Sequence, residues 1–455
     1  MTTIEEYKDF VQSKTHLAGE FGFAPVYENP AAHDFQAHLI EWSLRQGRSA
    51  TFADCGMGKT LMQLVWAENV HRKTNRPVLI LSPLSVSQQT VEEAAKFGIE
   101  AHRSRDGKFP ARKGIITSNY ERLHYFSPDD FSGVVCDESS ILKNFDGKIK
   151  AHITQFMRKV KYRALYTATP SPNDYTELGT SSEALGDMAH MDMLQTFFKS
   201  NDGTLHPGHQ GQNWSFKGHA ELHFWRWVSS WARAVRRPSD LGYDDAAWDL
   251  PDLVEIAHTI ESEALEGQFF AMPVSGLKAE REEKKRTIKE RCELAAELIM
   301  GHDCGVSWCH LNAEADLITQ IIPGAVNLSG SDKDDAKEEK FAAFRSGEIK
   351  YLVTKPKIAA LGVNWQHCSS CTYFDDYSFE QYYQAVRRFW RFGQTKPVTV
   401  HNIGTTSLSN VAKARVKKAK ATKEMFEQMM AHMNDAQKHN TNLKTIDKVG
   451  LPKWL

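Results

Sequence analysis

Short apolar runs alternate with helix-forming stretches in two separate series, and this pattern constrains the fold more than any other feature of the chain. In the first series, 49–52, 78–82, 114–117, 133–136 and 163–167 read as buried strands, and in the second 305–309, 325–328, 350–354 and 372–374 do. The stretches 35–46, 86–97, 312–322, 333–346 and 378–392 read as helices. Buried strands alternating with helices imply parallel sheets covered on both faces, so the expected class is α/β with two sheet domains. In such sheets, ligands gather at the carboxyl ends of the strands.

Three of those ends carry chemistry. The first is Phe52-Ala-Asp-Cys-Gly-Met-Gly-Lys-Thr60, followed by Leu61, Met62, Leu64, Val65 and Ala67 at helical spacing. A strand, a glycine loop ending in Gly-Lys-Thr and a helix form the context of a phosphate-binding loop. Gly56, Met57 and Gly58 would line the nucleotide. The two glycines allow turns that aim backbone amides at phosphate oxygens. Lys59 would reach the outer phosphates and Thr60 would hold a Mg²⁺ position. Ala53 stands where the usual first glycine falls; an ordinary turn at a helix start is the competing reading, and the preceding strand favours nucleotide. At the second end, Asp137 can hold Mg²⁺ through water and Glu138 can orient and deprotonate an attacking water. The competing reading is a pair of capping acids. The third end is Thr167-Ala-Thr-Pro170.

Other residues gain meaning only beside these. Gln36, at the head of the 35–46 helix, carries a donor and an acceptor suited to an adenine edge, or is a solvated helix residue. Arg388 and Arg391 lie three apart in Gln384 to Gln394 and would share one helix face, from which they could stabilise phosphate charge across a cleft. Lys413, Lys417 and Lys420 would share a face of a C-terminal helix, as a phosphate-backbone contact or as a solvated surface.

The 455 residues carry a formal net charge of −1, so no global positive field draws in nucleic acid and any such contact must be local. No apolar run reaches membrane-spanning length and the start does not read as a signal peptide, so a cytoplasmic chain without disulfides is expected. Of seven cysteines, Cys304, Cys309, Cys368 and Cys371 lie near His302 and His310 in pattern. A zinc site is conceivable, but thiols packed in strands are the favoured reading. The aromatic stretch 180–250, with Phe197, Phe198, Trp214, Phe216, Phe224, Trp225, Trp227, Trp231 and Trp248, reads as the core of a helical insertion rather than a base-stacking platform.

Taken in order, these motifs resemble superfamily 2 helicases, and within them the Swi/Snf-type ATPases, from about Gln36 to His401. Ala53 to Thr60 resembles their motif I and Gln36 their adenine-reading glutamine. Asp137-Glu138-Ser139-Ser140 stands where Asp-Glu-Ala-His is common, followed by Lys143-Asn144. Thr167-Ala-Thr-Pro170 is similar to motif III, and Gly362-Val-Asn-Trp-Gln366 to motif V. Gln384 to Gln394 is similar to motif VI, with Arg387 replacing a glycine. Arg236-Arg237 and Leu250-Pro251 resemble the stretch that leaves the first lobe.

The resemblance implies two RecA-like domains with ATP and Mg²⁺ between them. Arg388 and Arg391 would face the phosphates, with Gly362 and Asn364 in the nucleotide wall and Thr167 and Thr169 coupling the lobes. Ser82, Pro83, Thr117, Ser118 and Thr354 are implied as nucleic-acid contacts. The expected division is a first lobe at 1–179, a helical insertion at 180–250, a helical linker at 251–300, a second lobe at 301–404 and a basic helical tail at 405–455. The implied function is an ATP-dependent motor on duplex or branched DNA. Such a motor is expected as a monomer in a bacterial or phage-infected cell, working beside replication, recombination or repair proteins. An RNA remodeller and a nucleotide-controlled regulator with little turnover are the alternatives. A small-molecule kinase would leave the second lobe unexplained.

Overall fold

The computed structural model describes residues 21–440 apart from 85, 110–113, 144–146, 172–173, 201–213, 262–276 and 360–363. The five strands of the first series lie in one seven-stranded parallel sheet, with two strands not read from the sequence, Ala101–Arg103 and Ala232–Val235. Its strands are β1 (Arg48–Ala53), β2 (Val78–Ser82), β3 (Ala101–Arg103), β4 (Ile115–Asn119), β5 (Gly133–Asp137), β6 (Tyr162–Thr167) and β9 (Ala232–Val235), in the order β3-β4-β2-β5-β6-β1-β9. Helices α1 (Asp34–Gln46), α2 (Lys59–Thr74), α3 (Ser87–Lys96) and α4 (Lys148–Lys159) cover it. Strands β1, β2, β4 and β5 are buried almost throughout, which is why they read as continuous apolar runs.

The second sheet is also parallel. It contains β10 (Leu253–Ile260), β11 (Gly305–Trp308), β12 (Val326–Leu328), β13 (Tyr351–Thr354), β14 (Ser370–Phe374) and β15 (Val398–Thr405), in the order β10-β15-β14-β11-β13-β12. Helices α8 (Leu277–Arg286), α9 (Ile288–Met300), α10 (Asn312–Ile321), α11 (Asp334–Ser346) and α13 (Phe379–Val386) accompany it, with the single turn α12 (Pro356–Ala359) after β13. The chain thus has two RecA-like α/β lobes.

Two stretches read as helical contain strands. The 180–250 region holds helices α5 (Leu178–Leu185), α6 (His190–Phe197) and α7 (Ala220–Trp231), but also the antiparallel hairpin β7 (Phe198–Ser200) and β8 (Trp214–Phe216). Its end, β9, joins the first sheet beside β1. Phe197, Phe198, Phe224, Trp225 and Trp231 are buried there in one core with the sheet. In the expected linker, β10 pairs along its whole length with β15.

The expected helix at 378–392 ends at Val386, and Arg387 takes the cap position. Arg388 and Arg391 therefore lie in the turn beyond α13 rather than on one helix face. The backbone reverses there through Gly393, whose φ of 89° favours glycine. The final helix α14 (Ser409–Asn440) leaves the second lobe and buries Met425, Phe426 and Met429 in the core of the first. Among the described residues, no helix is long and apolar enough to cross a membrane, and no group of three His, Cys, Asp or Glu residues could hold a metal ion. All seven cysteines are free thiols.

Candidate active site

The phosphate loop follows β1 with Gly56 at φ 90° and Gly58 at φ 79°. Both glycines are required for space as well as for backbone conformation. A Cβ on Gly58 would lie 2.2 Å from Gln36 Nε2, and one on Gly56 would lie 2.8 Å from the Phe392 nitrogen of the second lobe. Lys59 Nζ donates to the carbonyls of Ala53 at 3.0 Å and Asp54 at 3.4 Å. Gln36 is buried under the loop: its amide donates to the Met57 carbonyl at 2.9 Å, and its oxygen accepts from the His33 amide at 3.0 Å.

Asp137 and Glu138 end β5 side by side, both buried. Burial first, and then the neighbouring Glu138 carboxylate, push the Asp137 carboxyl up to about 7, while Gln63 and Lys59 oppose the shift. Gln63 donates to Asp137 at 2.6 Å. Glu138 has φ 51°, a left-handed conformation uncommon outside glycine. Strain of that kind collects at functional positions.

A hydrogen-bonded line leaves Glu138 for the second lobe. Thr167 Oγ1 donates to Glu138 Oε2 at 3.3 Å and accepts from the Thr169 amide at 3.1 Å. Gln384 of α13 donates to Thr169 Oγ1 at 3.5 Å, and Arg388 Nε donates to the Gln384 carbonyl at 2.9 Å. The line runs from a carboxylate of one lobe to an arginine of the other. Ser139 and Ser140, which replace a common Ala-His, are buried, and the Ser139 hydroxyl has no hydrogen-bond partner.

The loop, the acidic pair and part of the second lobe surround one cavity of about 520 Å³. Gln36, Gly56, Gly58, Lys59 and Thr60 form one wall and Asp137 and Glu138 the end of the strand behind it. Asn364, Arg388 and Arg391 come from the second lobe. Arg391 Nε is buried without a hydrogen-bond partner, as is Asn364 Oδ1. Burial, and then the charge of Arg388, bring the Arg391 guanidinium down to about 10. Two cations pressed together on one side are relieved by an anion between the lobes, and two carboxyls pressed together on the other by a cation. The donor set therefore fits a nucleoside triphosphate with Mg²⁺.

The loop is also clasped from across the cleft. Arg387 pairs with Asp54 at 2.6 Å, with both side chains about nine-tenths buried. The Tyr383 hydroxyl donates to the same carboxylate, which also accepts from the Cys55 amide at 2.6 Å. Burial opposes the charge on Arg387, but the Asp54 carboxylate outweighs it and raises the guanidinium above its ordinary value. In the sequence Arg387 stands out only as a replaced glycine, with nothing to mark Asp54 and Tyr383 as its partners.

The residues implied as nucleic-acid contacts divide. Pro83 lines a second interlobe cavity of about 460 Å³. The hydroxyls of Thr117, Ser118 and Thr354 donate inward, to the carbonyls of Ser87, Ser104 and Leu328, and Ser82 is fully buried. Lys417 and Lys420 are exposed on α14, with Lys420 facing Glu424 at 3.7 Å. Gly362, Asn144 and the Lys413 side chain lie outside the described residues. Lys143 donates to Glu380 across the cleft. Pro251, beyond Arg236-Arg237, accepts from Trp390 Nε1 at 2.6 Å.

Two RecA-like lobes with a phosphate loop in one and arginines from the other define the class, a two-lobe nucleotide-cleft protein. No protein-family profile matches the chain. A curated relative, the CHD3-type chromatin-remodeling factor CHR7 of Arabidopsis thaliana, is 24% identical over 189 residues, or 35% of this chain and 15% of that protein. The chain thus spans a small part of the curated relative it matches. Among solved structures, a Dbp5 variant of S. cerevisiae bound to a Gle1 variant and IP6 aligns with TM-score 0.52 and 12% identity, over 87% of this chain and 92% of that one. The Sulfolobus solfataricus SWI2/SNF2 ATPase core in complex with dsDNA aligns with TM-score 0.40 and 17% identity, over 85% and 90% of the two chains. The fold shared with Dbp5 and the partial match to CHR7 agree with the resemblance to superfamily 2 helicases of Swi/Snf type.

Proposed function

We propose that the chain is a nucleic-acid-stimulated ATPase that uses ATP hydrolysis to move on or remodel duplex DNA. The observation that carries this reading is the interlobe cavity lined in common by Lys59, Thr60, Asp137, Glu138, Arg388 and Arg391. The loop amides and Lys59 bind the phosphates. Glu138 orients a water in line with the outer phosphorus and takes its proton. Arg391, beside Arg388, stabilises the charge that develops on the departing phosphoryl group. Thr60 and Asp137 would hold Mg²⁺, which would neutralise charge on the phosphates.

Hydrolysis becomes motion because the site is divided. Arginines of the second lobe interact better with triphosphate than with diphosphate, so the lobes' preferred separation changes within each cycle. The line Glu138–Thr167–Thr169–Gln384 gives that change a physical route. Nucleic acid held by its phosphates across both lobes would be shifted without regard to sequence. The similarity to a chromatin-remodeling factor and to Swi/Snf motifs favours duplex DNA over RNA. One chain supplies both halves of the site, which suits a monomer. Seven free thiols suit a reducing compartment, such as the cytoplasm of a bacterial or phage-infected cell.

The test is the ATPase rate with duplex DNA, single-stranded DNA, branched DNA and RNA. Duplex or branched DNA is expected to stimulate most. Stimulation by RNA alone would reassign the substrate, and equal rates with and without all four would overturn the motor.

A further inference from the structure

Three arginines of the first lobe converge on one helix of the second. Arg103 ends β3, Arg105 follows it, and Arg122 lies in the turn after β4. They meet Asp334, Asp335 and Glu338 in the first turns of α11. Arg103 bonds Glu338 at 2.7 Å, Arg105 bonds Asp335 at 3.0 Å and Glu338 at 3.3 Å, and Arg122 reaches Asp334 at 3.4 Å. Arg122 also donates to the Arg105 carbonyl at 2.9 Å, which holds the trio together. Arg103 pairs in register with Thr117, and the Ser118 hydroxyl bonds the Ser104 carbonyl. The arginines therefore stand at the same strand ends as the hydroxyls that turn inward. The carboxylates of Asp334 and Glu338 line the 460 Å³ cavity that continues to Pro83, Lys143 and Glu138.

The pairs differ in exposure: the Arg105 and Asp335 side chains are 42% and 83% exposed, those of Arg122 and Asp334 27% and 39%, and those of Arg103 and Glu338 12% and 27%. Exposed pairs of long side chains contribute about 0–1 kcal/mol each. Phosphodiester oxygens offer a guanidinium the same forked acceptor that a carboxylate does. A polyanion that takes several arginines together also releases condensed counterions, which separate carboxylates cannot match.

We propose that Arg103, Arg105 and Arg122 form a docking surface for a nucleic-acid phosphate backbone, and that Asp334, Asp335 and Glu338 of α11 compete with the phosphates for it. The inference rests on the reading of the chain as a nucleic-acid motor. Phosphates that take these arginines part α11 from the β3–β4 edge, so occupancy of the surface is linked to the angle between the lobes.

The test is binding of fluorescein-labelled duplex DNA to the full chain, followed by anisotropy across a sodium chloride series beside the ATPase rate. The variant Arg103→Gln/Arg105→Gln/Arg122→Gln is expected to bind more weakly. Its plot of log affinity against log salt should be shallower by about 2–3, at about 0.9 per lost phosphate contact. The variant Asp334→Asn/Asp335→Asn/Glu338→Gln is expected to bind several-fold more tightly than Glu290→Gln/Glu293→Gln/Glu297→Gln, which makes the same net-charge change on exposed positions of α9. A wild-type salt slope in the arginine variant overturns the proposal. So does an acid variant that binds no tighter than its control. If the wild-type chain neither binds nor responds to any nucleic acid, the motor reading itself falls, and this surface with it.

Discussion

Glu138 holds a left-handed backbone at the end of a buried strand, with one carboxylate oxygen bonded to Thr167. A residue fixed in this way loses little freedom when it orients a water, which is the advantage of pre-organisation in a general base. Glu138→Gln keeps the shape and the hydrogen bond but cannot take the proton. It is expected to lower kcat by at least about 10²-fold while still binding ATP, the scale of a lost general base. Lys59→Ala is expected to lose binding as well. Isothermal titration beside a phosphate-release assay separates the two outcomes, and normal turnover in Glu138→Gln would remove the base assignment. At this scale the loop and the acidic pair were legible because their chemistry is local: glycine spacing, a lysine and two carboxylates at strand ends. The inward hydroxyls of Thr117, Ser118 and Thr354 were not, because a hydroxyl's direction depends on which carbonyl lies beneath it.

At the scale of elements, α13 and the turn after it act as one unit against the phosphate loop. Arg387 and Tyr383 hold Asp54, Phe392 packs over Gly56, and Gln384 reaches Thr169. Removing one partner of a buried ion pair leaves an uncompensated charge and costs about 3–5 kcal/mol. Arg387→Gly is expected to lose stability on that scale in urea unfolding and to raise the KM for ATP, because the loop is then free of its clasp. A double-mutant cycle with Asp54→Asn should show strong non-additivity, and additive losses would mean that the pair is not coupled. Most strands were readable as apolar runs, but β3, β7, β8, β9, β10 and β15 were not. The chain passes from Trp231 at the end of α7 directly into Ala232 of β9, with no glycine or proline to mark the change. Strand β10 is exposed over most of its length, with no fully buried residue, so its sequence lacks the continuous apolar signature of its neighbours.

At the scale of the molecule, α14 returns from the second lobe to the first. Phe426 is buried beside Met425 and Met429, with the Arg236 guanidinium 4.5 Å from its ring centre. Phe426→Ala should cost about 3–5 kcal/mol of stability if this anchor is part of the folded core. Equilibrium unfolding measures it, and a loss under about 1 kcal/mol would mean that the anchor contributes little. The basic composition of this segment was visible in the sequence, whereas its apolar anchor was hidden among the charged residues around it.

That return joins the lobes twice: covalently through 236–252, and by non-covalent packing at the far end of α14. Two halves joined by a single flexible strand can tumble in any direction, but two joined at two points keep chiefly a rotation about the line through both. The arginines then approach the phosphate loop along nearly the same arc in every cycle, at a local concentration set by geometry rather than by diffusion. A protease cut within 236–252 would accordingly leave two fragments that still travel as one particle, with both walls of the cavity facing each other.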